Sequence, residues 1–464
     1  MSLVKNFSFV FTAQTIVLVI SVTRALILPK FLSVEGFGYW EVYWFYLTWG
    51  GFFCLGYNDG IYLKYGECDY NQLPIKLLRS STRLFIGMLT IFTFIAISVV
   101  FLFISDSDLQ FALFFSALDI LVLGISGLFI YVFQITNQFK KYSFYSIVDK
   151  VLVIVVICFL FVVNKQNYKC IIVTDFLSKL IVLTVMIYKG RELVVGETED
   201  FRRSVYFMWD TMSVGVKLLV ANLMSMLLIG AGKFIVQIYG DIKDFAIYSF
   251  GISITGLVLT SVTAFSLVLY PAVKRVEAER YPILFNKIND FTRLLGLSSI
   301  LLYFPVYYLV EIIYPQYVSV LIYLNILFAL IFLQCKISIL DNTFYKVLRE
   351  ESNMLMANLA CVGLFIVLAL IVFSCRNEIW VIALCTFIAM FYRCYRSEIF
   401  LNNLLRLSFN RQNIFEIAFL LCFLFVSTYC GLAIAFLVVF ATYMTWLFYN
   451  YQSTKKLVLE LIKR

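Results

Sequence analysis

Apolar runs of about twenty residues, enough to cross the hydrocarbon core as a helix, follow one another along almost the whole chain. Of 464 residues, 62% are hydrophobic and 14% charged, whereas a soluble domain keeps about 25% charged residues to cover its surface. So much apolar side chain cannot be hidden inside one soluble fold of this length. The outside of the folded chain is therefore apolar too, because its solvent is lipid. Backbone polar groups in lipid must be satisfied internally, which leaves helices or closed barrels. Barrel strands alternate apolar and polar residues, but the runs here are continuous, as in 151–163 and 432–440. The fold class is an all-α polytopic membrane protein.

The runs place spans near 8–28, 39–57, 84–104, 111–134, 147–163 and 170–188, then 213–231, 245–270, 294–313, 318–340, 354–374 and 378–394. The stretch 414–450 fits two short spans turning near Cys430 and Gly431. That makes about fourteen spans, with twelve as the lower count, because 378–394 is short and the last hairpin has no polar turn. Charge placement gives an independent check. With the N-terminus in the cytoplasm, only Lys30, Lys165, Lys169, Lys233, Lys243 and Arg376 fall on the opposite side, and Arg24, Lys179, Lys217 and Lys336 lie inside spans. The rest of the 37 Lys and Arg are cytoplasmic, the bias that orients short loops. Both termini are expected in the cytoplasm, and topology accounts for the net charge of +9 without a nucleic-acid partner. The longer linkers (58–83, 189–212 and 271–293) face the cytoplasm, and no soluble domain is inserted.

There is no histidine, which excludes imidazole acid–base chemistry, Ser-His-Asp and Cys-His nucleophiles and imidazole metal sites. The cysteines form no C-x-x-C pair, and most sit in apolar runs where a thiol acts as a small hydrophobe. No G-x-x-x-x-G-K-[ST] loop is present, so direct use of ATP is not expected. No cofactor is implied. Gln14 and Arg24 interrupt the first apolar stretch and no small-x-small cleavage site follows, so it reads as a retained span and not a signal peptide.

An offset of 208 residues lays the first two spans on the seventh and eighth. Val34-Glu35-Gly36-Phe37-Gly38-Tyr39-Trp40 falls on Ile242-Lys243-Asp244-Phe245-Ala246-Ile247-Tyr248, Gln14 meets Asn222, and Arg24 lies one position from the match of Lys233. Six spans separate the copies, so both enter the membrane in the same direction. This predicts two parallel six-helix lobes, 1–200 and 201–401, with a site between them. An extra hairpin and basic cytoplasmic tail fill 402–464.

Several segments resemble the polysaccharide flippases of the multidrug/oligosaccharidyl-lipid/polysaccharide (MOP) exporter superfamily, the Wzx-type O-antigen and capsule transporters. Gly232-Lys233-Phe234-Ile235, Tyr239-Gly240 and Ala246-Ile247-Tyr248-Ser249 resemble that family's seventh-to-eighth helix signature. Leu269-Tyr270-Pro271 resembles the end of its eighth helix, Ile312-Ile313-Tyr314-Pro315-Gln316-Tyr317 the turn closing its ninth, and Leu32-Ser33-Val34-Glu35-Gly36-Phe37-Gly38 its first outward loop. Gly232-Lys233 stands where many members carry an acidic-basic pair, so only the basic role carries over. The resemblance implies two lobes rocking around a central cavity. It also implies a substrate, an oligosaccharide unit on undecaprenyl diphosphate, flipped across the bacterial inner membrane in O-antigen, lipopolysaccharide or capsule assembly. Other polysaccharide assembly proteins are possible partners, and H+ or Na+ possible coupling ions.

A charge inside a bilayer costs about 2.5–3.5 kcal/mol on insertion scales and usually faces a cavity or a partner. Fixed cations would replace the hydration of a diphosphate, so Arg24, Lys217 and Lys233 are candidate substrate-binding residues. The competing reading makes each an anchor that snorkels to the headgroups. Asp175 and Lys179, four apart, share a helix face and can neutralise each other. Asp119 has no local partner, and would pair across a cavity or carry a coupling proton. Glu41 and Glu311 sit near span ends and read as solvated. Trp40 and Trp44 could stack on sugar, although interface packing explains aromatic residues equally well. A lipid II or multidrug exporter of the same plan is the alternative. A membrane polymerase or glycosyltransferase is disfavoured, because no outward loop is long enough to build an active site.

Overall fold

The computed structural model of the protein describes residues 3–66, 70–136, 138–163, 167–274, 276–373, 378–408 and 412–449. Lys165, Arg376 and the basic tail after 449 lie outside the described residues. Contacts divide the chain into Met1–Leu223 and Met224–Arg464. Twelve helices among the described residues are long and apolar enough to cross a membrane.

The first unit holds α1 (Leu3–Phe31), α2 (Val34–Thr48), α3 (Gly50–Phe53), α4 (Tyr57–Tyr65), α5 (Ile75–Phe103), α6 (Ser107–Ile135), α7 (Phe139–Val162), α8 (Tyr168–Lys189) and the first part of α9 (Phe201–Tyr239). Helix α6 is its centre, packed by α2, α3, α4, α5, α7 and α8. Half of its most apolar window is buried in protein, against 22% for α5 and for α7, whose outer faces are left for lipid. Asp106 and Ser33 cap α6 and α2: the Asp106 carboxylate accepts from the backbone of Asp108 and Leu109, and the Ser33 hydroxyl from Gly36, satisfying donors that a helix start leaves free.

The expected single span 39–57 is instead a broken helix. The chain leaves α-helical geometry after Thr48 and again at Leu55 and Gly56, whose φ values are 48° and 79°. The break lets backbone approach backbone. A Cβ at Gly215 would stand 1.9 Å from the Gly56 carbonyl oxygen, and one at Gly60 would stand 2.0 Å from that of Thr211. Only glycine fits at such contacts. Glu41, expected in solvent, is buried on the face of α2 turned into the unit, whereas Glu311 is exposed as expected.

The second unit continues with α10 (Ile242–Lys274), α11 (Tyr281–Leu301), α12 (Tyr303–Ile313), α13 (Leu321–Cys335), a π-helical turn (Lys336–Asp341), α14 (Asn342–Val347), α15 (Glu351–Phe373), α16 (Ile379–Leu404), α17 (Gln412–Tyr429) and α18 (Leu432–Tyr449). The last two form the expected hairpin at Cys430 and Gly431. Its centre is the continuous Pro315–Val347 stretch, 78% buried in its most apolar window. That stretch starts 208 residues after Ser107, the start of α6, so the sequence offset also relates the two central helices.

The hairpin is tied to this centre by charge. Glu416 of α17 accepts from Arg293 of α11 at 2.5 Å and from Lys336 of the π turn at 2.6 Å. Lys336 also reaches Glu398 of α16 at 2.8 Å, and Asn289 and Asn413 donate to the other oxygen of Glu398. Arg293, Lys336, Glu398 and Glu416 are each at most 1% exposed. A buried group left without its partner costs about 3–5 kcal/mol. Glu416→Ala is therefore expected to lower the thermal unfolding midpoint in detergent far more than Glu311→Ala. Gly215→Ala should destabilise by ~1–3 kcal/mol through overpacking, read in the same unfolding assay.

Candidate functional site

The first unit gathers its intramembrane charges around one phenol. Tyr43 comes from α2, Asp119 from α6, and Asp175 and Lys179 from successive turns of α8. The Tyr43 hydroxyl lies 2.5 Å from Asp119 Oδ2 and 2.6 Å from Asp175 Oδ2. Lys179 Nζ donates to Asp119 Oδ2 at 2.5 Å, to Asp175 Oδ2, and to the Tyr43 oxygen at 3.3 Å. All four side chains are buried. Ser116, one turn before Asp119, donates to the Tyr43 carbonyl at 3.3 Å and fixes α2 against α6.

Counting protons shows what the cluster can hold. The ammonium has three N–H groups, and they meet the two carboxylates and the phenol oxygen. The phenol has one proton and can donate it to one carboxylate only. Asp119 Oδ1 has no hydrogen-bond partner among the described residues. The cluster thus sets two acids and a phenol around one fixed cation.

Next to it lies a cavity of about 270 Å³. Its charged lining is Arg24, Asp149, Lys150, Asp175 and Lys179, and its apolar lining includes Ile20, Leu47, Val153 and Ile157. The half-buried Arg24 guanidinium sits 3.8 Å from the centroid of the Trp44 ring and 5.8 Å from that of Trp40. The two indoles stack on each other at 6.1 Å. Such a cation–π contact holds a guanidinium in place without using its N–H donors. Lys150 Nζ stays near its own helix, bonded to Ser146 O at 3.0 Å and Asp149 at 3.2 Å.

Of the six candidates from sequence, the structure brings Arg24, Asp119, Asp175 and Lys179 together at this cluster and cavity. Lys217 is exposed on α9 and is not among the residues lining the cavity. Lys233 belongs to the second unit, half-buried, with its ammonium 5.9 Å from the Phe245 ring. Sequence reasoning did not single out Tyr43, Asp149 or Lys150. The one local signal was the run Trp40, Tyr43 and Trp44, which puts three aromatic residues on one helical face.

No family model matches the sequence, and no curated protein matches it. The fold has solved counterparts. A lipid II flippase, MurJ, in an inward closed conformation superposes with a TM-score of 0.63 at 13% identity, covering 97% of this chain and 100% of that one. An inward-facing multidrug resistance MATE transporter of the MOP superfamily gives 0.57 at 12%, covering 84% and 96%. An outward-facing one gives 0.56 at 12%, covering 87% and 97%. The chain has the fold of these solved structures, and each is matched over nearly its whole length.

The cluster also makes a stability prediction. Lys179→Ala leaves two buried acids facing each other and should cost about 3–5 kcal/mol. Adding Asp119→Asn and Asp175→Asn should restore much of the loss in thermal unfolding, because the uncompensated charge is then gone.

Proposed function

We propose that the protein is a MOP-type flippase that moves an anionic, lipid-linked oligosaccharide across the bacterial inner membrane by alternating access. The cargo of the resembling flippases, an O-antigen or capsule repeat unit on undecaprenyl diphosphate, is the reading adopted. One observation carries it: Arg24 is held over Trp44 at the cavity, with no hydrogen bond from its N–H groups among the described residues. A diphosphate has no route through hydrocarbon, and a guanidinium presents the paired donors that phosphate oxygens accept. The stacked Trp40 and Trp44 add apolar ring faces of the kind that pack against sugar.

The neighbouring Tyr43, Asp119, Asp175 and Lys179 cluster supports H+ as the coupling ion. A proton taken up by these acids would lower the negative charge beside the cavity, and its release would weaken the hold on an anion. A second cargo class is favoured by a separate observation, since Asp149 and Asp175 also line the cavity and would suit a cationic drug.

Purified protein in liposomes, given a fluorescent undecaprenyl-diphosphate oligosaccharide, tests the reading. Wild type should move the lipid between leaflets. Arg24→Ala should slow it by roughly 10- to 100-fold, the equivalent of one charge-assisted hydrogen bond of about 1.5–3 kcal/mol. Movement of a cationic dye but not of the lipid would replace this reading with drug export, and extension of the sugar chain would replace it with an enzyme.

A further inference from the structure

Away from the cavity, at the end of the first unit that carries its Lys/Arg-rich loops, α5 and α9 begin side by side and leave an open groove of about 720 Å³. Pro74, Ile75, Lys76 and Leu77 form one wall, and Glu199, Arg202, Arg203, Tyr206, Phe207 and Asp210 the other. Helix α9 has 39 residues, so at about 1.5 Å per residue it is much longer than the hydrocarbon core of about 30 Å. Its first turns therefore reach headgroup depth. They are composed for that depth: Phe201, Tyr206 and Trp209 are 68%, 74% and 72% exposed. At 100° per residue, they share a helix face with Arg202.

The charges around the groove are not balanced locally. Arg79 donates to the carbonyls of Glu192 and Glu197, and Arg83 to those of Val194 and Gly196. Both arginines thus strap the stretch between α8 and α9 through neutral acceptors and keep their full charge. Lys76 meets Glu197 at 2.7 Å with both side chains mostly exposed, and Arg203 is 3.8 Å from Glu199. Exposed pairs of this kind are weak and are easily exchanged for another anion. Asp210 is engaged by Lys64 at 2.5 Å, and the Arg202 side chain has no acidic partner among the described residues.

We propose that this groove binds an anionic phospholipid of the surrounding leaflet. Its phosphate and charged headgroup would lie on Lys76, Arg202 and Arg203, and its upper acyl chains on Ile75, Leu77 and Phe207. The aromatic residues set the depth, the basic side chains select the charge, and the mostly apolar walls distinguish a lipid from a soluble anion. The site is separate from the cavity proposed to carry the substrate, and its ligand is a resident lipid, not cargo.

Native mass spectrometry of delipidated full-length protein, titrated with phosphatidylglycerol or phosphatidylcholine of matched chains, tests this without any transport step. Each basic side chain near an anionic lipid contributes about fivefold in affinity. Arg202→Ala with Arg203→Ala should therefore weaken phosphatidylglycerol binding by at least about tenfold and leave phosphatidylcholine unchanged. Arg202→Lys with Arg203→Lys should keep most of it. Lys140→Ala with Lys141→Ala, which removes equal charge from the start of α7, should have no effect. Equal losses in the two alanine pairs would overturn the proposal, as would a phosphatidylglycerol preference that survives the Arg202 and Arg203 change. Displacement of the lipid by millimolar inorganic phosphate would overturn it too, by making the occupant a soluble anion.

Discussion

A charge in hydrocarbon needs a partner, and each unit meets that need by placing its charges on helices that protein covers instead of lipid. In the first unit, α6 carries Asp119 and is wrapped by six other helices. In the second, the buried Pro315–Val347 stretch carries Lys336 and Asp341. The outer helices are left to face lipid with apolar side chains, so their sequences read as plain spans. The positions of the central helices follow from the charges that must be hidden.

The two networks settle this need differently. In the second unit, Glu416 and Glu398 meet Lys336 and Arg293, with Asn289 and Asn413 donating to Glu398, so these two carboxylates are satisfied, whereas neither oxygen of the buried Asp341 has a hydrogen-bond partner among the described residues. That suits a fastening between α17 and the centre. In the first unit, a phenol and an ammonium serve two acids, one Asp119 oxygen is left over, and a cavity opens beside them. Incomplete satisfaction of this kind costs stability, and here it sits next to open space.

Much of the fold was legible because span length and short loops are properties of local sequence. The hairpin turn at Cys430 and Gly431 and the pairing of Asp175 with Lys179 were read in this way, the second from helical periodicity alone. The contacts of Tyr43 with Asp119 and Asp175 join residues 76 and 132 positions apart, and no periodicity reveals them. Asp119 looked partnerless for the same reason. The break in the second span was hidden too, since Gly50, Gly51 and Gly56 are ordinary residues in a membrane helix. What makes the break necessary is the close approach of α9, more than 150 residues later.

The strap that Arg79 and Arg83 lay across the stretch between α8 and α9 engages main-chain carbonyls only. Carbonyls are present whatever the side chain, so the path of this segment is fixed while its composition is left nearly free. The exceptions are Leu193, which is 2% exposed in the core, and Gly196, where φ is 133° and a Cβ would stand 2.6 Å from the Arg79 guanidinium. Among descendants of this chain, the exposed positions of 192–197 are therefore expected to drift around these two, with the two arginines constrained more tightly than the segment they hold.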